Sequence, residues 1–185
     1  LLQVLRFNLD RKAERVRVFE IGRVFLRDAS VSTTHSTVRG VHQPLRVAAL
    51  AYGEPDGLQW ARKSPGADFY DAKGDVEALL SPLRAEFVPA EHPALHPGRC
   101  AAIHVNGRAV GVLGELHPRV RQSWELPHAP VLFELDLDAV VDRPMPAFQP
   151  VPKFQPAVRD IAVIVDDRVT HAELVDAIHS ADTGG

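Results

Sequence analysis

Nine histidines in a chain of 185 residues raise the question of a metal site first. His92 and His96 are four apart, but Pro93 and Pro97 follow them directly, so the two rings do not share a helix face. The sequence holds no His-Glu-x-x-His pattern and no second cysteine, the usual ingredients of a zinc site. Asp71 and Asp75 would lie on one face of a helix and could pair as acid and base. Lys73 and Glu77 interleave with them and favour a solvated charged face instead. A metal-assisted hydrolase, the enzyme alternative, would have to draw on His92, His96 and Asp71. Cys100 lies in an apolar stretch and reads as a buried, inert thiol. Ser64 and Ser123 lack the strand–turn–helix setting of an activated serine. Gly111-x-x-Gly114 falls inside a predicted hairpin strand, and there is no Gly-x-x-x-x-Gly-Lys phosphate loop. No catalytic, cofactor-binding or metal-binding residue is therefore assigned to this chain.

Charge is uneven along the sequence. The net formal charge is −3, yet residues 1–27 carry Arg6, Arg11, Lys12, Arg15, Arg17, Arg23 and Arg27 against Asp10, Glu14 and Glu20. That surplus could face phosphates, as in a free-standing tRNA- or RNA-binding module. The plainer reading is the solvated surface of a helix and a strand. Apolar residues make up 45% of the chain, enough for a core, with no apolar run of about 18 residues to cross a membrane. A lone cysteine and no visible signal peptide lead to an expected cytoplasmic location. The chain starts Leu1-Leu2-Gln3 and stops Thr183-Gly184-Gly185, so it is expected to be an internal piece of a larger protein.

The elements that must position these residues are legible from periodicity. Leu2, Leu5 and Leu9 mark one face of an opening helix. Val16 to Phe25 reads as a strand whose alternation slips between Val18 and Phe19, suggesting a bulge. Residues 28–44 read as an exposed loop and Leu45–Tyr52 as a buried strand closed by a turn at 53–57. Asp68 caps a helix with Asp71 in its first turn, and Phe69, Ala72, Val76, Leu79, Leu80 and Leu83 form its apolar stripe. Gly74 inside that helix costs about 1 kcal/mol relative to alanine, so a close neighbour is expected there. Asn106-Gly107 is a two-residue hairpin turn. A regular ladder from it pairs Val105 with Arg108, Ile103 with Val110 and Ala101 with Val112. The small residues of its second face, Cys100 to Leu113, suggest another element pressed against them. Pro118 opens a further helix, and Val131–Leu137 alternates as a half-buried strand. The sum is an α+β domain with a mostly antiparallel sheet.

Residues 143–152 hold four prolines and read as a stiff linker, placing a domain boundary there. The expected division is a domain over 1–145, a linker over 146–152 and the start of a second domain over 153–185. In that second part Ile161–Val165 reads as a strand, and Thr170 with Glu173 as the capping box of a helix.

Taken in order, several boxes form a set. They are Val18-Phe19-Glu20-Ile21-Gly22-Arg23-Val24-Phe25, Asp68-Phe69-Tyr70-Asp71-Ala72-Lys73-Gly74-Asp75-Val76-Glu77 and Pro93-Ala94-Leu95-His96-Pro97-Gly98-Arg99. Gly111-Val112-Leu113-Gly114-Glu115-Leu116-His117-Pro118, Leu132-Phe133-Glu134-Leu135-Asp136 and Arg159-Asp160-Ile161-Ala162-Val163 complete it. This order resembles the beta subunit of bacterial phenylalanyl-tRNA synthetase over essentially the whole chain. The resemblance implies a class II synthetase core-like fold for residues 1–145, acting as a pseudo-catalytic partner. It implies the first strand and helix of a ferredoxin-like anticodon-binding domain for 153–185. It also implies an assembly of two alpha and two beta chains that joins phenylalanine to tRNA. ATP and Mg2+ would be used by the whole enzyme, and the working site would be on the alpha subunit. The family's editing module and magnesium site would lie upstream, so neither gives a residue here.

The residues agree with a pseudo-catalytic role. Class II chemistry needs arginines on antiparallel strands to offset the ATP phosphates. Phe19-Glu20 lacks the arginine of a Phe-Arg-x-Glu strand, and Gly111 to Arg119 lacks a Gly-x-Gly-x-x-x-Arg spacing. The expected role is a non-catalytic scaffold and subunit-interface domain, with the hairpin and the helix after Asp68 as core or interface elements.

Overall fold

The computed structural model describes residues 1–32, 38–55, 66–142, 145, 148 and 158–181. The chain divides into two compact units, Leu1–Met145 and Pro146–Gly185. The Pro-rich stretch 143–152 lies outside the described residues except at Met145 and Phe148, as do Ser64 and the end of the turn after Gly53.

The first unit is α+β. Its strands are β1 (Val16–Arg23), β2 (Leu26–Arg27), β3 (Val41–His42), β4 (Leu45–Tyr52), β5 (Ala85–Pro89), β6 (Leu95–Val105), β7 (Arg108–Leu116) and β8 (Val131–Asp136). Its helices are α1 (Leu2–Leu9), α2 (Phe69–Leu80), α3 (Pro118–Ser123) and α4 (Leu137–Val141). Six strands form one antiparallel sheet in the order β1-β4-β8-β7-β6-β5, and β2 pairs with β3 apart from it.

Two cores lie on opposite faces of that sheet. Helix α2 covers Val47, Ile103, Leu113, Phe133 and Leu135 with Ala72, Val76 and Leu80. Helices α1 and α3 cover the other face at one end, where Leu5 meets Val16, Leu50, Tyr52, Leu116 and Leu126. Burial of Leu5, Val76, Leu80 and Leu135 is complete, and each such side chain contributes about 2 kcal/mol. The start of α2 is fixed by a reciprocal cap: Asp68 accepts from the Tyr70 and Asp71 amides, and Asp71 accepts from the Asp68 amide. At the start of α3, His117 Nδ1 accepts from the Arg119 amide and Pro118 occupies the first turn.

Several expectations are corrected. β1 has no bulge: it pairs residue for residue from Val16↔Tyr52 to Arg23↔Leu45. The slip in its alternation arises because both faces carry apolar residues, Val16 and Val18 inward on one side, Phe19 and Ile21 exposed on the other. The bulge lies instead in the hairpin. Val105↔Arg108 and His104↔Ala109 pair as expected, then Ile103 meets Gly111 and Ala101 meets Leu113. The extra residue lets Val110 and Leu113, three apart, both enter the core under α2. The close neighbour of the small hairpin residues is the adjoining backbone. A Cβ at Gly111 would overlap the Glu134 carbonyl of β8, and one at Gly114 would lie 2.6 Å from the Arg99 carbonyl. Gly74 has open space where its Cβ would be, so no tight packing explains it. The loop expected over 28–44 contains β3, which pairs with β2 just before the loop.

The second unit has one described helix, α5 (His171–Ser180), with the capping box between Thr170 and Glu173 in place. Ile161–Val165 forms no strand. A strand exists only through a hydrogen-bonded neighbour, and none pairs with it among the described residues, leaving Ile161, Val163 and Ile164 exposed.

Candidate functional site

Among the described residues, the sheet face opposite α2 is covered by α1 and α3 at one end only. Its uncovered half is built by alternate residues of the central strands: Glu20 on β1, Arg46 and Ala48 on β4, Glu134 and Asp136 on β8, Val112 on β7. Arg46 is the cation among these residues. Its guanidinium lies between Glu134 Oε1 at 3.3 Å and Asp136 Oδ1 at 3.0 Å. Three carboxylates against one arginine give the surface a formal charge of −2. Beside it a cleft of about 380 Å³ lies between the start of α1 and the sheet, lined by Leu1, Gln3, Leu50, Leu132 and Glu134. The arrangement disfavours a polyphosphate, because the single guanidinium is already held by two carboxylates. Sequence reading missed this triad. Its signal was one charged residue inside an otherwise apolar strand, Leu45–Tyr52.

The second exposed feature is the edge of the sheet. β1 is the outermost strand in its order. Phe19 is 72% and Ile21 53% exposed, on the face shared with α2 but beyond the helix. Arg17 ties this edge to α2 through Asp75 at 3.2 Å. Between them the small Ala49 and Ala72 leave a groove that reaches Phe19 and Phe133. Phe25 and Leu26, just past the strand, are also exposed. An apolar edge strand is a ready site for association. The hairpin and α2, expected from sequence as core or interface elements, are largely core, since Ile103, Leu113, Val76 and Leu80 are fully buried.

The residues weighed for chemistry are occupied otherwise. His92 Nδ1 accepts from the Ala94 amide at 3.3 Å, and His96 Nδ1 accepts from the Gly98 amide at 3.0 Å. Each ring's Nδ1 lone pair is thereby engaged by a backbone amide. Asp71 caps α2, and Asp75 pairs with Arg17 rather than with Asp71. Ser123 donates to the Val120 carbonyl. Burial pushes the Cys100 thiol up, which keeps it protonated. Among the described residues no three His, Cys, Asp or Glu side chains meet as a metal site. Of the bases in 1–27, Arg6 bonds Asp10 and the Trp124 carbonyl, Arg11 the Phe7 carbonyl, Arg15 the Glu54 carbonyl and Arg23 the Gln43 carbonyl. These arginines fasten α1, β1 and the loops around them.

A sequence profile of the family described as "Phenylalanyl tRNA synthetase beta chain CLM domain" matches residues 1–137. The chain belongs to the phenylalanyl-tRNA synthetase beta-chain family. It is 57% identical over 181 residues to the phenylalanine–tRNA ligase beta subunit of Burkholderia lata, covering 98% of this chain and 22% of that protein. It is 52% identical over 184 residues to that of Ralstonia nicotianae, covering 100% of this chain and 23% of the relative. With that of Chromobacterium violaceum it shares 52% identity over 177 residues, or 96% and 21% of the two chains. The chain thus spans under a quarter of the length of these curated relatives. The matched region of the beta-chain family contains the whole six-stranded sheet, with the acidic face and the apolar edge. Among the described residues no helix is long and apolar enough to cross a membrane.

Proposed function

We propose that residues 1–145 are a class II core-like, non-catalytic scaffold of phenylalanine–tRNA ligase, the two-alpha, two-beta enzyme that joins phenylalanine to its tRNA. The observation that carries this is the Arg46 triad. An adenylate-forming site needs cations placed in advance around the triphosphate and its Mg2+. Among the residues named on the open half of this sheet carboxylates outnumber cations, and Arg46 is held by two of them. Activation of phenylalanine with ATP and Mg2+ therefore belongs to the alpha subunit, and this unit gives that subunit a surface to dock on. The exposed Phe19 and Ile21 on edge strand β1 support that surface. Residues from 153 onward are the start of the ferredoxin-like anticodon-binding domain, supported by the apolar segment Ile161–Val165 followed by the capped α5. The whole enzyme acts on tRNA in the cytoplasm.

The test is made in full-length beta subunit co-expressed with alpha. Phe19→Asp combined with Ile21→Asp is expected to remove alpha from the purified complex, because two charges would be buried unpaired. Arg46→Met in the same chain is expected to leave phenylalanine activation within about twofold, since 1.36 kcal/mol would be needed for tenfold. Retention of alpha by the double aspartate variant, or a collapse of activation with Arg46→Met in a folded complex, would overturn the reading.

A further inference from the structure

One concave site on the α2 side of the sheet has no part in the function just proposed. It is a cleft of about 550 Å³ between the start of α2 and the ends of β5, β6 and β7. Its apolar walls include Phe69 and Phe87, and its mouth holds Tyr70, Arg99 and Glu115. We infer that this cleft binds a small zwitterion with a flat apolar side chain, an aromatic α-amino acid in chemical class.

The size is that of a small-molecule site, and an apolar cleft with a few convergent polar groups is the usual form of one. The shape of the ligand follows from the walls. Phe69 and Tyr70 meet edge to face with centroids 5.6 Å apart, and Phe87 lines the same space, so a planar ring finds aromatic partners. The charges follow from the mouth. Arg99 and Glu115 form a close ion pair there, with side chains 60% and 26% exposed. One guanidinium beside one carboxylate offers a partner to each end of a zwitterion. A net anion or net cation would leave one of the two opposed by a like charge. Asp68, also in the lining, already accepts from the Tyr70 and Asp71 amides, and Glu115 meets Arg99 through Oε2, which leaves its Oε1 to accept from an ammonium.

The surroundings hold this mouth in place. The Gly98 amide donates to His96 Nδ1, fixing the turn that carries Arg99. The carboxylate of Glu115 keeps the Arg99 guanidinium charged by raising its pKa further. None of these residues is on β1, so the inference stands apart from the docking role proposed for that strand.

The experiment uses the full-length two-subunit enzyme with its activation site saturated by a non-hydrolysable phenylalanyl-adenylate analogue. Residual binding of 4-fluoro-L-phenylalanine is read by 19F NMR titration. One further equivalent per beta chain is expected, weakened at least tenfold by Arg99→Leu and by Glu115→Gln. Phenethylamine and 3-phenylpropionate, each lacking one charge, are expected to bind at least tenfold more weakly than the amino acid. Tyr70→Ala, at a side chain mostly in solvent, gives a variant that keeps the fold and is expected to weaken binding about threefold or more. Residual binding that is absent, that survives both charge variants, or that is matched by phenethylamine would overturn the inference. Such a result would leave alpha-subunit association unaffected, so its failure is distinguishable from failure of the docking role.

Discussion

Two glycine-to-alanine substitutions should move stability in opposite directions, and the reason is visible in the sheet. Gly111 lies where β7 crosses β8 closely. An alanine Cβ there would overlap the Glu134 carbonyl and lie 3.0 Å from the Leu135 Cα. The overlapped atoms are backbone in the centre of the sheet, so neither can rotate away. Relief requires β7 and β8 to separate, which loosens the ladder and the packing of Leu113 and Phe133 under α2. That places Gly111→Ala toward the upper end of overpacking costs, about 3 kcal/mol. Gly74 is the opposite case. Nothing lies within 4 Å of its would-be Cβ, and it sits mid-helix in α2. Gly74→Ala should stabilise by about 1 kcal/mol through helix propensity and reduced unfolded-state freedom. Urea unfolding of the chain followed by circular dichroism reads both, as a fall in midpoint for one and a rise for the other at unchanged slope. A Gly111→Ala variant within about 0.5 kcal/mol of the parent, or a destabilised Gly74→Ala variant, would refute the close approach of β7 to β8 or the open space beside α2.

Further outcomes follow from the polar groups. Arg46→Met should cost about 1–2 kcal/mol, since it leaves Glu134 and the three-quarters-buried Asp136 without their shared cation. In the Arg46→Met background, Asp136→Asn should then cost less than it does alone, a coupling read by a double-mutant cycle. For α5, hydrogen bonds from the Thr170 amide and hydroxyl hold the Glu173 carboxyl below its ordinary range. A depressed folded value means the cap contributes above the ordinary carboxylate range and is lost as pH falls through the lowered value. Helicity of α5 should decline in that acid window, and Glu173→Gln should remove the dependence, as followed by NMR shifts of residues 171–180.

What was legible in the sequence was local. Asp68 announced the start of α2 because a cap acts on amides two and three residues away, and Thr170 did the same for α5. Asn106-Gly107 announced the hairpin because two consecutive left-handed residues admit few others, and both do have positive φ. Register was not local. The bulge at Val110 answers to what α2 needs filled beneath it, which no alternation along β7 reveals. β5 and α4 escaped notice because Ala85–Pro89 and Leu137–Val141 are short, and each is held by elements far away in sequence. The Arg46 triad was hidden for the same reason, with Glu134 88 residues from its partner. Arg99 and Glu115, 16 apart, meet only because β6 and β7 fold back on each other. The apolar segment Ile161–Val165 shows the limit from the other side, since β propensity with no partner strand among the described residues produces no strand.

The most direct measurement of the scaffold role is phenylalanine-dependent exchange of pyrophosphate into ATP by this polypeptide with no alpha subunit present. Exchange at background is the expected result, with activity appearing only when alpha is joined to the full-length beta chain. Robust exchange by the polypeptide alone would contradict the non-catalytic reading of its acidic sheet face.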